Sequence, residues 1–519
     1  MAAALFETLP ADTLLIILSL LPGSSIRQCL QVCRLLNDLI RSSDYLEYLL
    51  ELDACGYIRP DRIRADLSYA EMIKLLRDHK AQWDNPQKVV PTYYELPIGY
   101  PVESNPLSKG VFTMAAKRND ALVDQIHFFQ LPSKNKGTGF EHWRIDLEVL
   151  FWDFLVDPDQ DLLIGLEQVH TTPTTKVHLK SMRTNVNHPK SVSGQFTIAR
   201  RFYDDFDSSV AEVIGHSLAV FGRSQVERSF CAEIWDWTTG QQLSHLDLDH
   251  INAHPGHLLS ENSFVVCLSA PFDSGAVFLG NALGCLDVYQ FELYDTMPAR
   301  AVHVASFALP PGENADLTCR PAQSTFTRGH DCSAAKVYDL EPQDRLFYVG
   351  VSTRHGKTAS IGSLCTSVST LLGALPSSGS RRLDQHACAL IPWVDWANKT
   401  SWIIWDDFNA GREIRFCDQR SASLGDDERS LAIIDFRQGR RTAWNIDGQD
   451  ISDLMRNQER AQQRSDCVDQ GQAAGDYQKA LWSPRGSEQS RRVDIDDEHG
   501  VFSLVHSHIP GTANRNWIG

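Results

Sequence analysis

Leu9-Pro10-Ala11-Asp12-Thr13-Leu14-Leu15-Ile16-Ile17-Leu18-Ser19-Leu20-Leu21-Pro22 is the stretch on which the reading of this chain turns. From Leu14 to Leu21 every position but Ser19 is apolar. A surface helix ordinarily carries a single apolar stripe. A run this short makes about two helical turns, far below the roughly 20 residues needed to cross a bilayer. A helix so short and so apolar has to be covered on more than one face, and the simplest reading is a docking helix that waits for a partner protein. A secretion signal would need a positively charged start, whereas Glu7 and Asp12 flank this run and no Lys or Arg precedes it. The remaining alternative is the first helix of an ordinary bundle, whose Leu and Ile serve only the protein's own core.

Working outward, Leu9-Pro10, Leu14, Leu15, Ile17-Leu18-Ser19, Leu21-Pro22, Ile26, Gln31-Val32-Cys33-Arg34 and Leu39-Ile40 keep a spacing that resembles an F-box. In that family an opening Leu-Pro enters a first helix ending in Ile-Leu-x-x-Leu, a short second helix comes next, and a third begins near Val-Cys-Arg. The resemblance covers about residues 5 to 45, under a tenth of the chain. Leu36 departs from it, standing where many members carry Trp or Phe. The resemblance implies binding to the Skp-type adaptor of cullin-RING (SCF) ubiquitin ligases, with the rest of the chain recruiting a substrate. Carried over position by position, it implies that Leu9, Pro10, Leu14, Ile17, Leu18 and Leu21 meet the adaptor, with help from Val32.

The chain has 519 residues, 42% hydrophobic and 22% charged, as expected of a soluble multidomain protein. Its net charge of −17 shows no Lys/Arg block, which disfavours nucleic acid and anionic membranes as partners. Its 12 cysteines include no Cys-x-x-Cys, so they read as scattered reduced thiols of cytoplasm or nucleus, with no metal and no cofactor implied.

Residues 46–90 continue helical: Tyr45 to Leu52 has helical spacing, Gly56 is a plausible stop, and a segment opening at Asp66-Leu67-Ser68 runs to about Trp83. Pro86, Pro91, Pro97, Pro101 and Pro106 then mark an extended linker. From there to the end come short β-rich runs, among them Leu162–Leu166, Lys176–Leu179, His216–Phe221, Phe264–Leu268, Ala276–Leu279, Leu286–Tyr289 and Leu346–Val349. Many short strands imply a sandwich, barrel or propeller. Ala232-Glu233-Ile234-Trp235-Asp236-Trp237-Thr238-Thr239-Gly240 resembles the end of a WD-type blade, and such repeats recur about every 40–45 residues. Polar loops are expected at Thr184–Gln195, Ser352–Gly362 and Pro376–Gln385, and a long, partly disordered one at about 447–498. Val501–Val505 reads as a strand that could close a ring.

Catalytic motifs are sparse. Gly215-His216-Ser217-Leu218-Ala219 is close to a Gly-x-Ser-x-Gly nucleophile elbow, but the residues after it are strand-like where that chemistry wants a helix. His506-x-His508 could present two imidazoles on one strand face, and Asp494–Glu498 lacks the frame of a calcium loop. Trp393, Trp396, Trp402 and Trp405, succeeded by Arg412 and Arg415, form an aromatic cluster that is either a substrate-facing surface or sheet core.

The sequence therefore implies a small all-α F-box module (1–45), a helical linker (46–90) and a large all-β domain (91–519). The β domain reads as an irregular β-propeller, with a β-sandwich as the alternative. No catalytic residue is assigned. The function implied is a non-catalytic substrate receptor of an SCF ligase, with the speculative substrate contacts Trp393, Trp396, Trp402, Trp405 and Arg412. The alternatives are an F-box scaffold acting outside a ligase and a serine hydrolase using Ser217.

Overall fold

The computed structural model describes residues 9–84, 102–118, 122–169, 171–172, 174–199, 208–224, 229–248, 253, 256–269, 283–292, 298–310, 315–319, 335–340, 345–355, 358–373, 388–406, 415–417, 420–424, 430–435, 440–445, 478–481, 489–495 and 500–506. It forms two compact units. The first gathers residues 1–91 with 130–140 and 330–342, and the second holds the remainder.

In the helical unit, α1 spans Ala11–Ser19, α2 Gly23–Cys29, α3 Arg34–Arg41, α4 Asp44–Cys55 and α5 Tyr69–Asp84. Local chemistry sets these limits. Pro10 and Pro22 stand just ahead of α1 and α2, where a missing N–H costs nothing. Ser43 caps α4 by accepting from Leu46 N, and Gly56 ends it in the left-handed region at φ 71°. Ser68 and Glu71 form a capping box ahead of α5: Ser68 N donates to Glu71 Oε2 at 2.8 Å and Glu71 N to Ser68 Oγ at 3.3 Å. A first core joins Leu18, Ile26, Leu36, Ile40 and Leu46.

A second core in this unit draws on chain far away in sequence. Tyr48, Leu52, Tyr57, Met72, Ile73 and Leu76 pack with Val337 and Tyr338. Tyr48 OH donates to Val337 O at 2.5 Å, and the rings of Tyr57 and Tyr338 stack with centroids 4.2 Å apart. The buried side chain of Asn135 holds this strap. Its Oδ1 accepts from Val337 N (2.8 Å) and Tyr338 N (3.0 Å), and its Nδ2 donates to Tyr338 O (3.2 Å). Residues 130–140 and 330–342, expected within the β domain, instead complete the helical unit.

The β unit is a succession of antiparallel sheets. The first holds Val102–Ser108, Val111–Arg118, Leu122–Gln130 and Glu141–Phe151, and the second Asp153–Asp157, Leu162–Val169, Thr174–Ser181 and Gln195–Ile198. The third holds Ser208–Ile214, Ser217–Ser224, Ser229–Asp236 and Gln241–Leu248, and the fourth His257–Ser260, Ser263–Ser269, Gly284–Gln290 and Val302–Ala308. The fifth is Ala315–Cys319, Leu346–His355, Thr358–Ser367 and Thr400–Asp406, the sixth Arg415–Cys417, Arg420–Leu424, Ser430–Asp435 and Arg440–Asn445, and the last pairs Gln489–Ile495 with Gly500–His506. The strand Gln489–Ile495 lies against both Arg420–Leu424 and Val102–Ser108, so the last sheet meets the first.

Side-chain alternation explains this order. In Phe264-Val265-Val266-Cys267-Leu268, Phe264, Val266 and Leu268 join the core shared with the third sheet, while Val265 and Cys267 join the core shared with the fifth. Leu218 and Val220 likewise face the second sheet, Ala219 and Phe221 the fourth. A strand buried on both faces must be apolar at consecutive positions, which is why these runs do not alternate in sequence. Close packing appears again at Gly165, where a Cβ would lie 2.1 Å from Phe151 Cε2. Sheets stacked face to face in chain order are a propeller-like arrangement.

Three sheets gain a fifth, parallel strand from later chain. Ala299–Arg300 adds to the third, Ala389–Ile391 to the fourth and Gln478–Leu481 to the fifth. The expected polar loop at Ser352–Gly362 is instead largely strand, in the hairpin of Leu346–His355 and Thr358–Ser367. The expected long loop at about 447–498 includes the strands Gln478–Leu481 and Gln489–Ile495. Ala276–Leu279 and Pro376–Gln385 lie outside the described residues.

Asn135→Ala removes three side-chain hydrogen bonds to the buried backbone of the strap, and it is expected to destabilise the helical unit by about 3 kcal/mol. Denaturant unfolding followed by tyrosine fluorescence checks this; an unchanged midpoint contradicts the role given to Asn135.

Candidate functional site

Helix α1 divides the apolar run by direction. At 3.6 residues per turn, positions four apart share a face. Leu14 and Leu18 face inward and are 2% and 4% exposed. Ile16, Ile17 and Leu20 face outward, at 63%, 39% and 80%. Ser19, the polar interruption, satisfies itself by donating from Oγ to Ile16 O at 2.7 Å. Asp12 in the first turn suits the positive end of the helix dipole.

The Val-Cys-Arg motif sits where α3 begins, with Arg34 its first residue. Val32, in the turn before it, is 70% exposed, and Leu35 is exposed as well, while Leu36 enters the core. Leu9 and Leu21 are half-buried and Pro10 is exposed. The structure thus splits the implied adaptor contacts. Pro10, Ile17 and Val32 are at the surface, Leu14 and Leu18 support the helix from within, and Ile16, Leu20 and Leu35 are exposed apolar side chains that the resemblance did not name. Inward and outward faces of α1 were indistinguishable in a run apolar on every side.

Support behind this surface comes from α4. Gly23 lets α2 approach it closely, since a Cβ there would sit 2.4 Å from Asp53 Cβ. Arg27 bonds Asp53 at 2.5 Å across the same contact, and in this exposed setting the pair adds little.

The tryptophan cluster divides too. Trp396 is buried, donates from Nε1 to Ala308 O at 2.9 Å and packs edge-on against Phe307, so it is core of the fourth and fifth sheets. This removes it as a substrate contact. Trp393 packs half-buried against that same core. Trp402 and Trp405 lie on the strand Thr400–Asp406, their side chains outside the description, and Arg412 lies outside the described residues altogether.

Ser217 is buried in a strand that continues to Ser224, and its Oγ donates to Glu261 O at 2.6 Å. An elbow needs an exposed hydroxyl on a strand-to-helix turn, so the hydrolase alternative is withdrawn. Another polar cluster surrounds His303. Its Nε2 lies 2.9 Å from Ser306 Oγ, 3.4 Å from Asp287 Oδ1 and 3.6 Å from Cys388 Sγ. A thiol–base–acid relay requires the base to use its two nitrogens separately; here one nitrogen meets all three groups. Burial, together with the Asp287 charge, pushes the Cys388 thiol up, opposite to what a nucleophile needs. Among the described residues no group of His, Cys, Asp and Glu could hold a metal ion, and no helix is long and apolar enough to cross a membrane. His508 lies outside the described residues.

With the geometry in place, comparison with known proteins adds one domain assignment. Residues 6–46 match the F-box-like family model, which covers α1 to α3. An F-box-like domain is typical of non-catalytic docking subunits and implies, in general terms, binding to a Skp-type adaptor. No curated protein matches the chain. The β-propeller domain of the Trilobed protease from Pyrococcus furiosus is 8% identical, covering 66% of this chain and 84% of that one at a TM-score of 0.33. Hydrazine synthase of Kuenenia stuttgartiensis is 10% identical, with 66% and 83% covered at 0.30. An uncharacterized protein of Listeria monocytogenes is 10% identical, with 69% and 97% covered at 0.31. Likenesses at these scores carry no argument about what this chain does.

One histidine pair makes an acid-sensitive contribution to stability. Burial, the neighbouring His142 and Arg144 hold His127 below its usual range, against a smaller pull from Asp146; burial and Arg144 lower His142. Their rings stack with Nδ1 of His127 3.2 Å from Nε2 of His142. Above pH 6.5, their ordinary value, both are neutral folded or unfolded, and below it the unfolded chain takes protons that the folded one resists. The pair's contribution to stability is therefore lost as pH falls through that value. The double variant His127→Gln/His142→Gln should lose less stability between about pH 7.5 and about pH 5.5 than the wild type. Equal losses in urea titrations contradict this.

Proposed function

We propose that this protein is a substrate receptor of an SCF-type ubiquitin ligase. In this reading the F-box-like module docks the Skp-type adaptor and, through it, the cullin-RING assembly. The β unit recruits a target protein. The observation that carries the reading is the exposed apolar set Ile16, Ile17, Leu20, Val32 and Leu35 on a module whose own core is already filled by Leu18, Ile26, Leu36, Ile40 and Leu46. Exposed apolar side chains concentrated on one small module mark an interaction surface.

The receptor itself catalyses nothing in this reading. It holds the target near a charged conjugating enzyme, raising the effective concentration of target lysines there. The cytoplasm or nucleus, where such ligases operate, is the place this reading gives it. We read the turn at Trp235–Gly240 as WD-type. Asp236 Oδ1 accepts from Thr238 N (2.8 Å) and Thr238 Oγ1 (2.6 Å), fixing the reversal into the next strand.

Burying an apolar side chain at an interface is worth roughly 1.5–3 kcal/mol, so placing two charges there should cost about a hundredfold or more in affinity. Ile17→Asp/Leu20→Asp is expected to lose adaptor and cullin on co-purification while unfolding like the wild type. Leu18→Ala, a core change, should instead lower stability by about 2–5 kcal/mol. Equal recovery of the adaptor with wild type and the Asp double variant refutes the docking surface.

A further inference from the structure

In the third and fourth sheets the outermost strand is covered by chain that belongs to the next sheet. Ala299–Arg300 lies in the connection between the fourth sheet's strands Gly284–Gln290 and Val302–Ala308, and it pairs in parallel with the third sheet's outer strand Gln241–Leu248. Ala389–Ile391 lies in the corresponding connection of the fifth sheet, between Thr358–Ser367 and Thr400–Asp406, and pairs in parallel with the outer strand Val302–Ala308 of the fourth. The fifth sheet's outer strand is covered, again in parallel, by Gln478–Leu481 from chain beyond the sixth sheet.

The second sheet differs. Its outer strand is Gln195–Ile198, and among the described residues that strand pairs only with Thr174–Ser181. The equivalent connection of the next sheet joins Ser229–Asp236 to Gln241–Leu248 and is only residues 237–240. It is closed into a turn, with Gly240 N donating to Asp236 O at 2.8 Å and Thr238 held on Asp236 Oδ1. A turn this tight has no chain left to lay along the neighbouring edge.

Register shows which backbone groups are left over. Leu179 N donates to Gly194 O at 2.8 Å, and hydrogen-bonded pairs alternate along an antiparallel ladder. Val177 and Phe196 therefore bond each other, as do Thr175 and Ile198, while Gln195 and Thr197 turn their N–H and C=O groups outward. Ser193 Oγ donates to Gln195 O. The N–H groups of Gln195 and Thr197 and the C=O of Thr197 find no partner among the described residues. The two faces of this edge differ in chemistry. Phe196 and Ile198 pack toward the core shared with the third sheet, Phe196 stacked on Trp235 with centroids 4.8 Å apart, whereas Gln195 and Thr197 are exposed.

We propose that the outer edge of Gln195–Ile198 receives an extended segment of a partner protein as a fifth, parallel strand. The inference rests on the reading that the β unit recruits a protein, and it names where and in what conformation. Side chains of an added strand alternate, so the segment would place apolar residues beside Phe196 and Ile198 and uncharged polar ones beside Gln195 and Thr197. Main-chain bonds would give affinity and the alternate side chains specificity. The edge is four residues long, and the in-chain additions pair over two, three and four. A second copy of this chain fits less well, because identical edges joined about a two-fold axis pair antiparallel.

The test uses the full chain and a fluorescein-labelled eight-residue peptide of alternating Val and Thr in anisotropy titrations. In a parallel addition Thr197 bonds the residues on either side of the one opposite it, so the valine nitrogens carry the contact. Methylating every Val nitrogen of the probe should weaken binding at least tenfold, and methylating every Thr nitrogen should not. Thr197→Pro removes an outward N–H while sparing the sheet's own ladder; it should lose at least tenfold in affinity, and Thr197→Val should keep it. Both variants should retain wild-type circular dichroism and adaptor recovery. If Thr197→Pro misfolds, the methylated probes decide on the wild type alone. Loss on Thr methylation instead, loss on neither, or unchanged binding by folded Thr197→Pro overturns the proposal. So does concentration-dependent dimerisation that Thr197→Pro abolishes, which assigns the edge to a second copy. Ile17→Asp/Leu20→Asp should leave probe affinity intact, so failure of adaptor docking and failure of this edge read out separately.

Discussion

Helical geometry sets which side chains the F-box-like module can bury and which it must expose. Once Leu14 and Leu18 turn inward, the 3.6-residue period forces Ile16, Ile17 and Leu20 toward water. Reversing the helix would bury that face and strip the core of its anchors. The apolar excess of α1 therefore divides on a single short helix: one side fills a core, and the other leaves apolar side chains exposed. Val32 and Leu35 extend the exposed set at the start of α3, where Leu36 is again the inward residue. A substitution at Leu18 tests folding, and one at Leu20 tests association.

The second half of the helical unit obeys a different constraint. Tyr48 is bonded to Val337, 289 positions away, and Asn135 ties that strap from a third segment. Contacts of such separation form late, because loop-closure entropy opposes them until neighbouring structure exists. The first core, built from residues 18–46, draws on no distant chain, so it can form before the unit is complete. In the β unit, parallel strands added to the third, fourth and fifth sheets cover edges that would otherwise present unpaired backbone groups.

Much of this was legible in the sequence, and the reasons are local. Leu-Pro, Ile-Leu-x-x-Leu and Val-Cys-Arg fixed the frame of the first three helices; Gly56 and Ser68 marked a stop and a start that the backbone keeps. Runs such as Phe264–Leu268 declared strands covered on both faces. The straps at 131–140 and 335–340 were not legible, because Pro, Ser, Lys, Asn and Gly there carry no periodicity and their partners lie far off in sequence. Added parallel strands of two to four residues are too short to announce themselves. Trp396 could not be told from a surface tryptophan until its Nε1 was seen on Ala308 O.

The central claim, that the F-box-like module is a docking surface presented by α1 and the turn before α3, is tested most directly by amide hydrogen exchange on the full chain with and without a purified Skp-type adaptor. The account predicts slowed exchange across Ala11–Ser19 and residues 30–35, with strands such as Ser217–Ser224 unchanged. Exchange that stays the same in α1, or protection confined to the β unit, would contradict it.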